Sequence, residues 1–323
     1  MADTGFSSFI EVSYEDTWGV AETTGFVDTL LLDATGSIKE SENVEEHGGP
    51  GSRLINQLTS GKYTVGGSIS GKVQGGRLFA YALGTDTKTG TGVPYTHTLA
   101  VNDTTSLSSF TMDMAHIKAD KAKRVAGCKI MDFSLNLDAQ GVLTADFNWE
   151  GRQASKVASS VGTRSQSTSS VFTGWMGSLT WNAQPIECTT FNFSYNNNLG
   201  TDEISIGERR RKAITEGQVT MSGSFGLVFS DFTVYDDFQT AFSTATSNET
   251  GTDRTLAITL DNGGATTAER EIALSLTTTR LTELDHPVTF ENGRVVATYN
   301  YIPKTLNSFT IKDDVSTNYI TGV

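Results

Sequence analysis

The stretch GCKIMDFSLNLDAQGVLTADFNWEG, residues 127–151, decides the fold class. Ile130, Phe133, Leu135 and Leu137 supply the apolar positions of a first strand. Asp138, Ala139, Gln140 and Gly141 are turn chemistry, and predict a tight turn in which Gly141 is free to take positive φ. Val142 to Trp149, rich in β-branched and aromatic residues, reads as the return strand. The pattern recurs near the C-terminus. Residues 137–151 (LDAQGVLTADFNWEG) align without a gap on residues 289–303 (TFENGRVVATYNYIP). Gly141 meets Gly293, Gln140 meets Asn292, Ala145 meets Ala297 and Asn148 meets Asn300, while Phe147 and Trp149 meet Tyr299 and Tyr301.

Two further matches follow in the same order. Residues 61–70 (GKYTVGGSIS) lie on residues 217–226 (GQVTMSGSFG), sharing glycines at Gly61/Gly217 and Gly67/Gly223. Residues 98–101 (TLAV) lie on residues 255–258 (TLAI). The starting positions differ by 152, 156 and 157 residues. Collinear matches at nearly one offset predict two large units rather than a solenoid of short ones. The expectation is a duplicated β-domain, residues 1–160 and 161–323, divided at the Ser-rich segment 152–170.

The 323 residues suit two ordinary domains or one large one. Thr and Gly are abundant and helical periodicity is scarce, so the fold class expected is all-β with short helices. One short helix per copy is expected, at residues 76–84 and at 231–243, the latter N-capped by Asp231. No run of about 20 apolar residues is present, so no membrane-spanning helix is expected. The N-terminus lacks a basic start and apolar run, which predicts a protein made and kept in a cytoplasm. Cys128 and Cys188 then read as free thiols, and the four histidines show no zinc-ligand spacing. No metal or cofactor is predicted. The net charge of −13 argues against a protein that grips nucleic acid by its phosphates, though not against a surface that DNA passes without sticking.

Residues 39–52 (KESENVEEHGGPGS) read as a long exposed acidic loop carrying Glu40, Glu42, Glu45 and Glu46. The carboxylates lack the alternation of a calcium loop, which favours a solvated or partner-contacting role. The equivalent loop of the second unit is basic, with Arg209, Arg210, Arg211 and Lys212. The opposite signs suggest complementary contacts between subunits. No nucleophile elbow, P-loop or dinucleotide fingerprint is present, so no catalytic residue is assigned. A surface glycan site would use exposed aromatics; of Trp18, Trp149, Trp175 and Trp181, three sit in predicted strands and read as core or interface.

The chain resembles phage tail tube (major tail) proteins of the kind with two tube domains per chain. Arg53, Gly61-Lys-Tyr-Thr-Val-Gly-Gly-Ser, Tyr95-Thr-His-Thr-Leu and above all Arg124-Val-Ala-Gly-Cys-Lys-Ile-Met-Asp-Phe-Ser-Leu-Asn-Leu carry the resemblance, continuing to Leu143-Thr-Ala-Asp-Phe. It implies two-sheet sandwiches with a flanking helix, whose sheets join edge to edge around a ring with an inner β-barrel. Homotrimeric rings of pseudo-sixfold symmetry would stack into a conduit in the virion tail, assembled in the host cytoplasm. The tape-measure protein and tail terminator and initiator proteins would be partners, and double-stranded DNA would pass through. A long non-contractile tail is the setting expected. A carbohydrate-binding β-sandwich and a secretion-system tube remain the alternatives.

Overall fold

The computed structural model describes residues 8–51, 53–116, 121–157, 167–229, 233–243 (side chains to 239), 253–264, 268–286 and 295–320. β1 (Ser8–Tyr14), β2 (Val27–Asp28), β3 (Leu31–Gly48) and β4 (Ile55–Val73) precede helix α1 (Arg77–Leu83). Then come β5 (Gly84–Thr89), β6 (Tyr95–Val101), β7 (Phe110–His116), β8 (Lys121–Asp138), β9 (Thr144–Gly151) and β10 (Gln153–Val157). The remainder holds β11 (Gly177–Trp181), β12 (Gln184–Ile186), β13 (Cys188–Asn196), β14 (Thr220–Val228), α2 (Thr233–Ser243), β15 (Arg254–Asp261), β16 (Glu271–Asp285) and β17 (Val296–Asp313). The all-β class with short helices holds.

The strands β3-β4-β9-β8-β13-β14-β17-β16 form one continuous antiparallel ribbon. Its period-two pattern makes it two-faced. On β9, Ala145, Phe147 and Trp149 are buried while Asp146 and Asn148 are exposed. The apolar face packs on two smaller sheets. In one, β1, β7, the start of β8 and β10 pair in turn. In the other, β11, β15, the start of β16, the end of β17, β6 and β5 pair in turn. Helix α1 fills the space between: Phe79 lies 5.1, 4.9 and 5.2 Å from the rings of Phe133, Phe147 and Phe309. Edge-on aromatic packing of this kind adds to the area each ring buries.

The pairing registers repeat. Gly67 faces Trp149 and Ile69 faces Phe147; Gly223 faces Tyr301 and Phe225 faces Tyr299. A Cβ on Gly67 would lie 1.9 Å from the Ser37 carbonyl oxygen and 2.9 Å from the Trp149 ring. A Cβ on Gly223 would lie 2.4 Å from both the Asn192 carbonyl oxygen and the Tyr301 ring. The same steric demand therefore keeps glycine at both places. Bulges repeat too. One falls between Ile130 and Asp132 and between Leu281 and Glu283. Another falls between Phe110 and Met112 and between Arg254 and Leu256.

Several sequence expectations are corrected. The third match fails: β15 occupies the place of β7, since both pair with the long strand that follows them, whereas β6 belongs to an additional hairpin with β5. Short amphipathic strands look alike in sequence, and only the ladder separates them. Residues 39–48 are not a loop but the outer half of β3, paired with β4 from Lys39↔Gly66 to Gly48↔Ile55. The arm is exposed on both faces, so its strand character rests on backbone hydrogen bonds and leaves no apolar period to read. The Asp138–Gly141 turn closes with a 2.9 Å bond from the Gly141 N–H to the Asp138 carbonyl, and Gly141 stays out of the left-handed region. Trp175 lies in a short 3₁₀ turn (Gly174–Met176) and is 75% exposed, whereas Trp149 and Trp181 are buried as expected. The Gly293 turn, the Asp231 cap and residues 158–166 of the Ser-rich segment lie outside the described residues.

Candidate functional site

The solvent face of the eight-stranded ribbon is short and polar. Thr35 bonds Ser70 at 2.8 Å and Ser37 bonds Ser68 at 3.2 Å across β3 and β4. Asn148 donates to Asp132 at 2.7 Å, Asn192 to Asn136 at 2.5 Å, and Asn300 to Glu283 at 2.7 Å. Lys72 pairs with Asp33 at 2.5 Å. These groups satisfy one another sideways, which leaves few donors pointing outward. The ribbon ends in two bare edges. The outer side of β3, and the far side of residues 281–285 in β16, carry no strand among the described residues.

The middle of the ribbon holds the only place where its two halves meet strand to strand on this face among the described residues. There β13 pairs with β8 through seven residues, from Thr190↔Asp138 to Asn196↔Asp132. A loop from β13 to β14 crosses over that junction. Arg211, 4% exposed, is its anchor. Its Nη1 donates to Glu150 Oε2 at 2.6 Å, to the Gly151 carbonyl at 3.0 Å and to the Val65 carbonyl at 3.2 Å, and its Nε donates to the Thr201 carbonyl at 3.0 Å. A planar fork suits this multiple docking, where lysine would make fewer bonds. Lys129 secures the other end, donating to Glu216 at 2.6 Å and to the Ile214 carbonyl at 3.0 Å. That bond outweighs burial and holds the Glu216 carboxyl below its usual range. Asn197 donates to the carbonyls of Ala82 and Ile130 at 2.9 and 3.0 Å.

The charged residues singled out from sequence divide into groups. Arg209 reaches across to Glu42, and its carbonyl accepts the Tyr63 N–H at 2.9 Å. Glu40 accepts from the Tyr63 hydroxyl at 2.6 Å and pairs with Lys123, which holds its carboxyl below the usual range. Glu40, Glu42, Arg209 and Arg210 share a surface cavity of about 460 Å³ with Tyr63. Opposite charges thus meet within one chain, and Arg211 is consumed there. Glu45 and Glu46 stand further out on the arm, opposite Thr59 and Leu58, and Lys212 is exposed. Sequence reasoning missed Glu150, Lys129 and Glu216. A lysine inside the apolar strand at Gly127-Cys128-Lys129 was the available signal, since a buried lysine requires a partner.

A second buried cluster pins the C-terminal segment. The His97 ring stacks on Tyr319 at 3.9 Å, its Nδ1 lies 3.1 Å from Asp86, and its Nε2 lies 3.0 Å from the Val315 carbonyl. Tyr319 bonds Asp313. Burial pulls the imidazole pKa down, but the hydrogen bond and charge of Asp86 prevail and the net shift is upward. Burial raises the Asp313 carboxyl.

No His, Cys, Asp and Glu cluster among the described residues has the geometry of a metal site, and no described helix is long and apolar enough to cross a membrane. Cys128 and Cys188 are free thiols. The site is therefore a surface: a polar ribbon, two bare edges, and loops that cross a junction. The model of the family described as phage tail tube protein matches residues 5–302. The chain belongs to the phage tail tube protein family. No curated protein matches the chain. A tail tube protein is a structural component of the virion tail that assembles with copies of itself. In such a protein the bare edges and the polar face are the parts whose geometry has to be explained.

Proposed function

We propose that the chain is two tube units, residues 1–160 and 161–323, and that three chains close into a ring of six units. The observation that carries this is the junction inside the chain. Within each unit the order is β3-β4-β9-β8 or β13-β14-β17-β16. The first unit's last strand, β8, pairs with the second unit's first strand, β13. The equivalents of those two strands are β16 and β3, the bare edges. Joining β16 of one chain to β3 of the next repeats the internal junction, and three such joints leave no edge exposed. Eight ribbon strands in each of three chains make an inner barrel of 24 strands.

The registers name the contacts. Gly67 corresponds to Gly223, so Lys39 corresponds to Ser194; Phe147 corresponds to Tyr299, so Asp285 corresponds to Ser134. Ser194 faces Ser134 inside the chain. Lys39 of one chain then faces Asp285 of the next, and an ion pair replaces a serine pair.

The polar face becomes the lumen. Its side chains are already hydrogen-bonded to each other and its acids repel phosphate, so double-stranded DNA and the tape-measure protein pass without adhering. Stacked rings, bounded by terminator and initiator proteins, form the tube of a long non-contractile tail. The role is structural, without catalysis. A glycan-binding surface is less well supported, because Trp149 and Trp181 are buried and Trp18 is held against Arg152.

Electron microscopy of the purified protein over a range of concentration tests the reading. Rings or tubes whose class averages show threefold symmetry with six similar lobes are expected. A monomer at all concentrations, or a ring of six chains, overturns it.

A further inference from the structure

We infer that the cavity bounded by Glu40, Glu42, Tyr63, Arg209 and Arg210 is a seat for the last turn of α2 of the neighbouring chain, with Arg210 set at that helix's C-terminal carbonyls. The inference rests on the ring reading above and deepens it by naming a second contact at each joint, away from the paired strands.

The chain holds its own pattern for such a seat. At the internal joint the second unit presents Asn197, just past the end of β13, to the first unit. Its side-chain amide donates to the Ala82 carbonyl in the last turn of α1 and to the Ile130 carbonyl of β8. Asn197 is 2% exposed there, and Tyr195, two residues back, is 0% exposed. In the first unit the same two positions are Glu42 and Glu40. Gly67 corresponds to Gly223, so Ile38 corresponds to Phe193, Glu40 to Tyr195 and Glu42 to Asn197. Both glutamates are exposed, and they line the cavity of about 460 Å³. What a helix end covers at the internal joint therefore stays open on the first unit of a single chain.

In the ring the helix facing that opening is α2. Counting on from Gly67 and Gly223 puts Arg77 and Thr233, the first residues of the two helices, at equivalent places, and Ala82 at the place of Phe238. Helix α1 stops at Leu83, where Gly84 at φ 95° turns the chain into β5. Helix α2 runs on to Ser243, eleven residues against seven. Four more residues advance about 6 Å, or one further turn. The longer helix thus belongs to the joint whose seat is hollow.

The chemistry is complementary. The last turn of a helix leaves carbonyls without partners and carries a partial negative charge. No basic residue lies in the last turn of α2, and no lysine or arginine occurs between Thr233 and Asp253. A carboxylate at position 42 has no N–H with which to copy Asn197. The β13–β14 loop supplies the donors instead. Arg209 is taken by Glu42, and Glu40 by Lys123 and the Tyr63 hydroxyl. Arg210 lines the cavity, is exposed and forms no ion pair among the described residues. Glu208, also on the lining, is the uncommitted like charge that a carbonyl end would meet. An amide seat for a short helix and a cationic seat for a longer one also keep first and second units alternating around the ring.

The test uses the full-length protein. Arg210→Ala removes an exposed side chain, so the variant is expected to fold as a monomer with an unchanged circular dichroism spectrum and melting temperature. A cation at a helix C-terminus shifts an equilibrium about two- to fivefold. With three joints in a ring, the concentration for half-assembly is expected to rise roughly three- to tenfold. Arg210→Lys keeps the charge and should recover most of the loss, while Glu208→Gln should lower the concentration needed. A benzophenone side chain in place of Glu208 maps the contact. Irradiated rings are expected to give a ladder of joined chains ending at three, with the adducts in the peptide that carries α2 of the neighbour. If rings form and the adducts fall elsewhere, or if Arg210→Ala assembles at the wild-type concentration, the seat is overturned and the ring stands. If the wild type forms no ring at all, the ring reading falls and the seat falls with it.

Discussion

Reversing the charge at position 39 probes the joint between chains directly. In the ring proposed above, the internal register would set Lys39 opposite Asp285 of the neighbour, in the position of the Ser194–Ser134 pair. Both side chains are exposed in the single chain. Opposite charges directly across an antiparallel pair contribute about 0.2–1 kcal/mol, and like charges cost a similar amount. Lys39→Glu exchanges one for the other, a change of about 1 kcal/mol per joint. A ring of three chains has three joints, so its formation constant should fall by about 3 kcal/mol, or roughly 150-fold. Half-assembly concentration varies as the inverse square root of that constant for a trimer, so it should rise about tenfold. Mass photometry across a dilution series in low salt measures this. At about 1 M salt the Debye length is about 3 Å and the difference from wild type should shrink. The double variant Lys39→Glu/Asp285→Lys restores opposite charges and should assemble close to wild type. A Lys39→Glu protein that assembles at the wild-type concentration, or a double variant no better than the single one, refutes the register.

Other perturbations test the chain itself. Gly67→Ala and Gly223→Ala force a Cβ to within 1.9 and 2.4 Å of a backbone oxygen, and each should cost at least about 1–3 kcal/mol in thermal unfolding; Gly48→Ala, with nothing within 4 Å, should cost little. Equal melting curves for all three would contradict the shared packing. Arg211→Ala leaves Glu150 without its buried partner and should lower stability by about 2–4 kcal/mol in a denaturant titration, with Arg211→Lys restoring only part. For His97 the folded pKa is raised, so its contribution is fully present below the unfolded value of about 6.5 and is lost as pH rises through the folded value. Wild-type stability should therefore decline as pH rises above about 6.5, and the decline should be smaller in His97→Gln; parallel profiles would show that His97 does not carry it.

The hairpin at residues 127–151 was legible because its two strands alternate apolar and polar residues and its turn has few chain-reversal alternatives. The first two internal matches were legible for a related reason. Gly67 and Gly223 each sit under an aromatic ring, and a residue with no tolerated substitute leaves a mark in sequence. The match of residues 98–101 with 255–258 misleads because β6 and β15 alternate like any half-buried strands, and alternation does not say which neighbour a strand pairs with. The arm reads as a loop in sequence for the opposite reason: it buries neither face. Its extended form comes from hydrogen bonds to β4, which no side-chain period reports. The basic run at 209–212 looked uniform, yet the fold buries Arg211, pairs Arg209 with Glu42 and leaves Lys212 in solvent.

Composition and periodicity by themselves pointed to an all-β chain with an acidic balance and recurring strand patterns, because these depend on which residues alternate and how often, while the resemblance to the family rested on particular motifs such as Arg124-Val-Ala-Gly-Cys-Lys. Only the tertiary structure decided which strands lie at the ribbon's edges, which loop folds inward and which projects. Those outcomes depend on pairings between residues more than a hundred positions apart, such as Arg211 with Val65, and a long-range pairing is fixed by the whole set of competing ladders rather than by any local pattern.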